Sequence, residues 1–266
     1  ENVNTIIKNR ENAEKARDFL SIYAPRKQDM LEGFKPRKEI ELSDFYVRSE
    51  KNDEIRCTCD EINSCVSELT EIKAEITKTN VDITALEPWQ SLEIPLGTVG
   101  TEKTDIIIGT LPDEYSEEKL KTRLVEIAPT LLSYDFTIVS SLKVQTYLAF
   151  IVIKEERELL QNALRELNFT AVSFTENTTA REEIDEKKQK IIALEQEIDA
   201  IKSKLKALDK NREAIDFLID CETIRADKYE AFQNVGITES VMDIKGYIPE
   251  AYAEKTAKRL EEKLGC

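Results

Sequence analysis

The chain has 266 residues, 34% charged and 41% hydrophobic, with only 7 glycines and 7 prolines, a composition suited to long solvated helices rather than a compact, loop-rich enzyme. Lys+Arg number 38 against 53 Asp+Glu, and the formal charge of -15 would repel phosphate backbones and anionic headgroups, which argues against nucleic acid as a partner. Histidine is absent, so the commonest general base and the commonest metal ligand are both missing. The five cysteines (Cys57, Cys59, Cys65, Cys221 and Cys266) are an odd number at no framework spacing and read as reduced thiols of a cytoplasmic compartment. No apolar run approaches the roughly 18 residues of a membrane span and no signal peptide opens the chain. Glu1 in place of Met is read as an internal cut, so a soluble fragment is expected.

In chain order, Val3, Ile6, Ile7, Ala13, Ala16, Phe19, Leu20 and Tyr23 mark an amphipathic helix that ends at Ala24, before Pro25. A basic break from Pro25 to Leu42, containing Gly33 and Pro36, separates it from a long helix with Ser43 as N-cap and Asp44 near its positive end. From Ile55 to Leu86 a heptad seam runs through Ile55, Ile62, Leu69, Ile76 and Ile83, with Thr58, Cys65, Ile72, Thr79 and Leu86 beside it. Pro88 closes the helix.

A second heptad stretch begins after the turn at residues 175–179, with Ile184, Ile191, Ile198 and Leu205 on one seam and Leu194, Ile201, Leu208 and Ile215 on the other. Arg212 interrupts the first seam and Glu222 the second, where another helix joins or the seam opens to solvent. Helices from Ser43 to Leu86 and from Thr179 to Phe232 would reach about 65 Å and about 80 Å, too long for a compact domain. A folded lobe between them makes an antiparallel intramolecular pair the simplest arrangement, with a parallel dimer as the alternative.

The lobe reads as βαββαβ: a strand Asp105–Leu111, a helix from Ser116 to Pro129 burying Leu120, Leu124 and Ile127, and strands Ser133–Val139 and Val144–Ile153 about a Ser140-Ser141 turn. A helix Glu155–Leu167, with Leu159, Leu160, Ala163, Leu164 and Leu167 apolar, and a strand Thr170–Phe174 complete it. That order is the split-βαβ, ferredoxin-like signature, which by itself carries no activity. Near the carboxyl end Val241–Ile248 is strand-like, and Pro249 opens a helix through Tyr252, Ala257, Leu260 and Leu264. One strand and one helix cannot bury a core alone, so they are expected to pack on the chain ends or on residues outside this sequence.

Four features invite chemistry. Cys57 and Cys59 stand two apart on a helix, where side chains diverge by about 200° and cannot share one ion, so buried thiols are the ordinary reading. The Gly97–Thr101 segment resembles part of a phosphate loop but lacks the Gly-Lys-Ser/Thr ending and reads as a linker. The pairs Glu117-Glu118 and Glu182-Glu183 lie in polar helical stretches and read as solvated. Trp89 reads as a cap packing lobe onto arm, with an exposed partner anchor as the alternative. No catalytic, cofactor-binding or metal residue is assigned, and no cofactor is expected.

The order of parts, namely a helix, a long arm, Leu86-Glu87-Pro88-Trp89, a βαββαβ lobe opening with Ile108-Gly109-Thr110-Leu111-Pro112, a return arm and Gly246-Tyr247-Ile248-Pro249, resembles the cytoplasmic half of subunit I, also called subunit a, of V-type and archaeal-type rotary ATPases. Many relatives carry Trp where Tyr247 stands, a conservative departure. The resemblance covers essentially the whole chain. It implies a non-catalytic stator part with a proximal lobe near the membrane and a distal lobe at the tip, both docking on peripheral stalks of E and G subunits. It places the chain at the cytoplasmic face of a membrane complex without spanning the bilayer, as a monomer in isolation. The family's ion-conducting arginine belongs to a membrane domain outside this sequence, and its first strands precede Glu1, so the proximal lobe is expected to be partial.

The expected fold is thus α+β: a long antiparallel two-helix coiled coil with a βαββαβ ferredoxin-like distal lobe and a partial α/β proximal lobe. Residues 1–42 form the N-terminal helix and break, 43–88 the outgoing arm, 89–177 the distal lobe, 178–234 the return arm and 235–266 the proximal strand and helix. The competing functional reading is the arm and dimerisation hinge of a chromosome-organising ATPase, which would dimerise through its lobe.

Overall fold

The computed structural model of the chain describes residues 3–26, 40–233, 236–237, 242–243 and 246–264. Gly33 and Pro36 of the predicted break, Val241, Ile244 and Lys245 of the late strand, and Cys266 lie outside these residues. The chain divides into two compact units, one of residues 67–201 and one of residues 1–66 with 202–266. Helices α3 (Asn52–Leu86) and α6 (Ala180–Leu208) contribute a stretch to each.

In the unit of residues 67–201, strands β1 (Thr104–Pro112), β2 (Tyr134–Leu142), β3 (Gln145–Ile153) and β4 (Thr170–Ala171) form one sheet in the order β2-β3-β1-β4. Every neighbouring pair is antiparallel. Helices α4 (Glu117–Ile127) and α5 (Arg157–Glu166) supply the two crossovers. Ser116 caps α4, its hydroxyl accepting from the Lys119 amide at 3.3 Å. Because strand side chains alternate, β3 sends Leu148, Phe150 and Val152 to one face, where Leu120 and Leu124 of α4 and Leu160 and Leu164 of α5 cover them. Burying each of these side chains contributes about 1.5–3 kcal/mol. Leu159 points away from that core and is exposed.

The other face of the sheet receives the ends of the two long helices. Ile83 and Leu86 of α3 and Ala180 and Ile184 of α6 join Trp89, Leu92, Leu96, Ile108 and Ala149 in a second core. Within this unit α3 and α6 run antiparallel, with Lys190 paired to Glu75 at 2.6 Å and Lys187 to Asp82 at 4.0 Å. Leu69, Ile72, Thr79, Ile83 and Leu86 are buried at the expected seam positions, and Ile76 is half-buried.

Two readings of the lobe change. The hairpin turn lies at Lys143-Val144, and Ser140 and Ser141 are strand residues opposite Tyr147 and Thr146. In place of the turn expected at Ser140-Ser141 there is a bulge between Ile138 and Ser140, and β2 continues past this pair of turn-forming residues. The last strand pairs only through Thr170 and Ala171, after which Val172 gives a single amide hydrogen bond to Ile108 and the chain leaves the sheet.

In the other unit, α1 (Val3–Tyr23) packs on α7 (Arg212–Gln233), and Asn12 of α1 reaches α3, donating to Asp60 at 2.7 Å. Ala13 and Ala16 are buried on α1, and small side chains there let the α1 and α7 backbones approach closely. The predicted single helix from Ser43 is instead α2 (Leu42–Ser49), a turn at Glu50-Lys51, and then α3. Ser43 is therefore a helical residue and Glu41 stands at the N-cap. The break has local causes: Ser49 Oγ donates to the Tyr46 carbonyl at 2.7 Å, and Asn52-Asp53-Glu54 restarts the helix with acidic residues in its first turn. The return arm is likewise interrupted by a 3-10 turn, Asp209–Asn211, between α6 and α7.

At the carboxyl end, β5 (Gly236–Ile237) and β6 (Met242–Asp243) make a two-residue ladder and α8 runs Glu250–Leu264. Gly246-Tyr247-Ile248, predicted as strand, has no regular structure. A strand without a partner ladder has no hydrogen bonds to hold it.

Candidate functional site

The residues that drew attention in the sequence make the following local contacts in the structure. Cys57 is exposed and Cys59 buried, so the two thiols diverge, and burial with a nearby Asp60 charge pushes the Cys59 thiol up to about 12. Among the described residues no group of three or more Cys, Asp or Glu side chains could hold a metal ion. In the Gly97–Thr101 segment three of the five amides are committed to backbone carbonyls. Gly97 donates to the Glu176 carbonyl at 2.6 Å, Thr98 to Pro95 at 3.1 Å and Thr101 to Thr104 at 2.8 Å, which ties the segment to its own loop and to the start of β1. Gly100 takes φ +120, where a side chain would be strained.

Glu117 and Glu118 sit in the first turn of α4. Glu182 is not merely solvated. It accepts from the Thr179 amide and hydroxyl, both at 2.9 Å, while Thr179 Oγ accepts from the Glu182 amide at 3.3 Å. That reciprocal arrangement is a capping box, and the bond from the Thr179 amide holds the Glu182 carboxyl below its ordinary range. The Thr179-Ala180-Arg181-Glu182 spacing announces it in the sequence. Glu156 does comparable work in the lobe, accepting the amides of Leu132 and Ser133 at 3.0 and 2.8 Å and titrating low, chiefly because of the Ser133 amide.

Trp89 is a cap. Only 2% of its surface is exposed, and its ring meets Tyr147 at 5.2 Å and Phe174 at 5.6 Å, both edge-on.

The two seam interruptions mark buried polar chemistry in the unit of residues 1–66 and 202–266. Arg212 donates to the Leu20 and Ala24 carbonyls at 2.9 and 2.8 Å and pairs with Asp209 at 2.6 Å, so it closes the carboxyl end of α1. Burial alone would raise the Asp209 carboxyl, but hydrogen bonds from Arg26 and Arg212 bring it below its ordinary value. Glu222 is fully buried and held by Arg56 and Arg225. Sequence reasoning flagged both positions without their distant partners, the Leu20 and Ala24 carbonyls for Arg212 and the Arg56 guanidinium for Glu222.

What remains as a candidate surface is the sheet face that the second core covers only in part. Register places Asp135, Ile151 and Ile106 side by side across β2, β3 and β1, and Thr137 and Ala149 in the next row on the same face. Together with Ser91, Glu93 and Ile94 they line an open cleft of about 480 Å³. Ile151, on a central strand, is 42% exposed.

The fold joins a sheet of antiparallel strands to long helices, with polar clusters at helix caps and helix junctions. No family model and no curated protein matches the chain. Among solved structures it is similar to the crystal structure of the cytoplasmic N-terminal domain of subunit I, homolog of subunit a, of V-ATPase, with a TM-score of 0.52 and 15% identity over 99% of this chain and 83% of that one. The likeness is one of fold. No helix among the described residues is long and apolar enough to cross a membrane.

Proposed function

We propose that the chain is the cytoplasmic stator part of a V/A-type rotary ATPase that moves protons or sodium ions, linking the membrane sector to the peripheral stalks. The observation that carries this reading is the fold likeness to the subunit I domain across 99% of the chain. In this reading residues 43–88 and 178–234 are the arms, 89–177 a ferredoxin-like distal lobe, and 1–42 with 235–266 the proximal end. The partners are the E and G subunits of the stalks, at both lobes. The chain works at the cytoplasmic face of a membrane complex without crossing the bilayer, and it is a monomer when isolated. It performs no chemistry itself and needs no cofactor; catalysis and ion conduction belong to other parts of the assembly.

The mechanics follow from packing. A stator must resist the torque of a turning rotor, and a seam of buried side chains between two helices resists bending because bending must shear it. Antiparallel ion pairs such as Glu75–Lys190 lie beside that seam. The test is association of the full chain with purified E–G heterodimer, alongside a version in which a short turn replaces residues 89–177. Binding by the full chain that is lost or strongly weakened in the shortened one is expected. Absence of binding by the full chain would overturn the reading, and equal binding by both would move the contact away from the lobe.

A further inference from the structure

We propose that the half-covered sheet face is the seat of an amphipathic helix from a partner, apolar along one ridge and bearing Lys or Arg beside that ridge. The proposal deepens the stalk-docking reading by naming the surface and the chemistry that recognises it.

The apolar part comes from the register. Ile151 stands directly between Asp135 and Ile106, so two isoleucines of adjacent central strands lie together on one face, with Ala149 in the next row and Ile94 on the facing segment. Cross-strand neighbours on one face are about 4.5–5.5 Å apart, which makes this a continuous strip rather than scattered residues. Trp89 and Leu92 cover the neighbouring part of the same face, and the strip continues their core outward into the cleft. Covering the exposed Ile151 and the half-buried Ile94 and Ile106 would remove their apolar surface from water.

The form of the occupant comes from the sheet edge. Addition of a strand to β2 would need its free backbone groups, but the Phe136 amide already donates to the Asp135 carboxylate at 2.9 Å, and the Val139 carbonyl accepts from Ser91 Oγ at 2.6 Å. The bulge beside Val139 further spoils the edge for pairing. What the cleft offers is side-chain space above the strands, which a helix ridge fills and an added strand does not.

The charge of the occupant comes from the rim. Glu93 and Asp135 line the cleft, and neither takes part in an ion pair among the described residues. On a chain of formal charge -15 they favour a cationic flank on the partner.

The experiment follows the isoleucine methyl resonances of the full chain during titration with a helical peptide whose leucine ridge is flanked by lysines, and with the same peptide carrying glutamates. The expected result is movement of Ile94, Ile106 and Ile151 with the lysine peptide only. Ile151→Glu should weaken that binding at least tenfold, Glu93→Lys with Asp135→Asn should weaken it and flatten its salt dependence, and Leu132→Glu, at an exposed position outside the cleft, should leave it unchanged. Asp135→Asn keeps an acceptor for the Phe136 amide, so this variant tests charge with the strand intact. No movement, equal movement with both peptides, or binding indifferent to both cleft variants would overturn the proposal. Purified E–G heterodimer is then titrated into the same variants. Equal binding to all of them removes this surface while leaving the stalk reading in place; no heterodimer binding beside the expected peptide response removes the stalk reading and leaves the surface.

Discussion

Glu222 and Arg56 stand 166 positions apart in the chain, and the fully buried Glu222 carboxylate accepts from Arg56 Nε at 3.1 Å. Arg225, one turn along α7, donates to the same carboxylate at 3.3 Å. The pair therefore joins α3 to α7 inside the unit that also holds α1.

Removing one member of such a pair leaves a buried charge short of a partner. Arg56→Met should lower stability by about 3–5 kcal/mol, measured by urea unfolding, whereas Arg56→Met with Glu222→Leu should recover much of the loss. Equal destabilisation by the single and double variants would show that packing around Arg56, rather than its charge, matters.

Along the α3 seam, Leu69 is fully buried and Ile76 only half-buried. Leu69→Ala should cost about 2–5 kcal/mol and Ile76→Ala clearly less. Helical signal at fixed temperature should be independent of protein concentration if the seam closes within one molecule. A melting temperature that climbs with concentration would instead indicate pairing between molecules.

Glycine positions separate into tight and open. A Cβ at Gly109 would lie 2.4 Å from the Thr170 carbonyl oxygen and against the Phe169 ring, whereas Gly246 has nothing within 4 Å. Gly109→Ala should destabilise the lobe by about 1–3 kcal/mol and change Trp89 fluorescence, and Gly246→Ala should do neither.

Glu156 titrates low in the fold because it accepts the Ser133 amide, so its folded value lies below its unfolded one. Its contribution is complete above the ordinary value of 4.5 and is lost as pH falls through the lower folded value. Glu156→Gln keeps the acceptor but not the charge, and its stability should therefore fall less steeply below pH 4.5 than that of the parent chain in an acid titration followed by circular dichroism.

Much of the helical organisation was legible because heptad periodicity reports burial directly, and Ile62, Leu69, Ile72, Thr79, Ile83 and Leu86 are buried as that period requires. Cys59 and Val66 are buried off the seam, and their small apolar side chains are the sequence trace of the wider stripe that a third helix demands. The distant partners of Arg212 and Glu222 were not legible, since a hydrogen bond across more than 160 positions is decided by tertiary packing. The hairpin was misplaced for a related reason. Ser140-Ser141 has turn composition, but the bulge and the pairing with Tyr147 and Thr146 hold it in the sheet, leaving exposed Leu142 and Val144 at the actual turn. The cleft was invisible because Ile106 and Ile151 become neighbours only through strand register.

Arg212 completes α1 from 188 positions beyond Ala24, and that distance has a temporal meaning during synthesis. At typical elongation rates of 5–20 residues per second, the first helix leaves the ribosome about 10–40 s before the guanidinium that satisfies its last carbonyls exists. During that interval α1 has neither its end-cap nor the α7 surface on which it packs, so α1 becomes native only once α7 has been made.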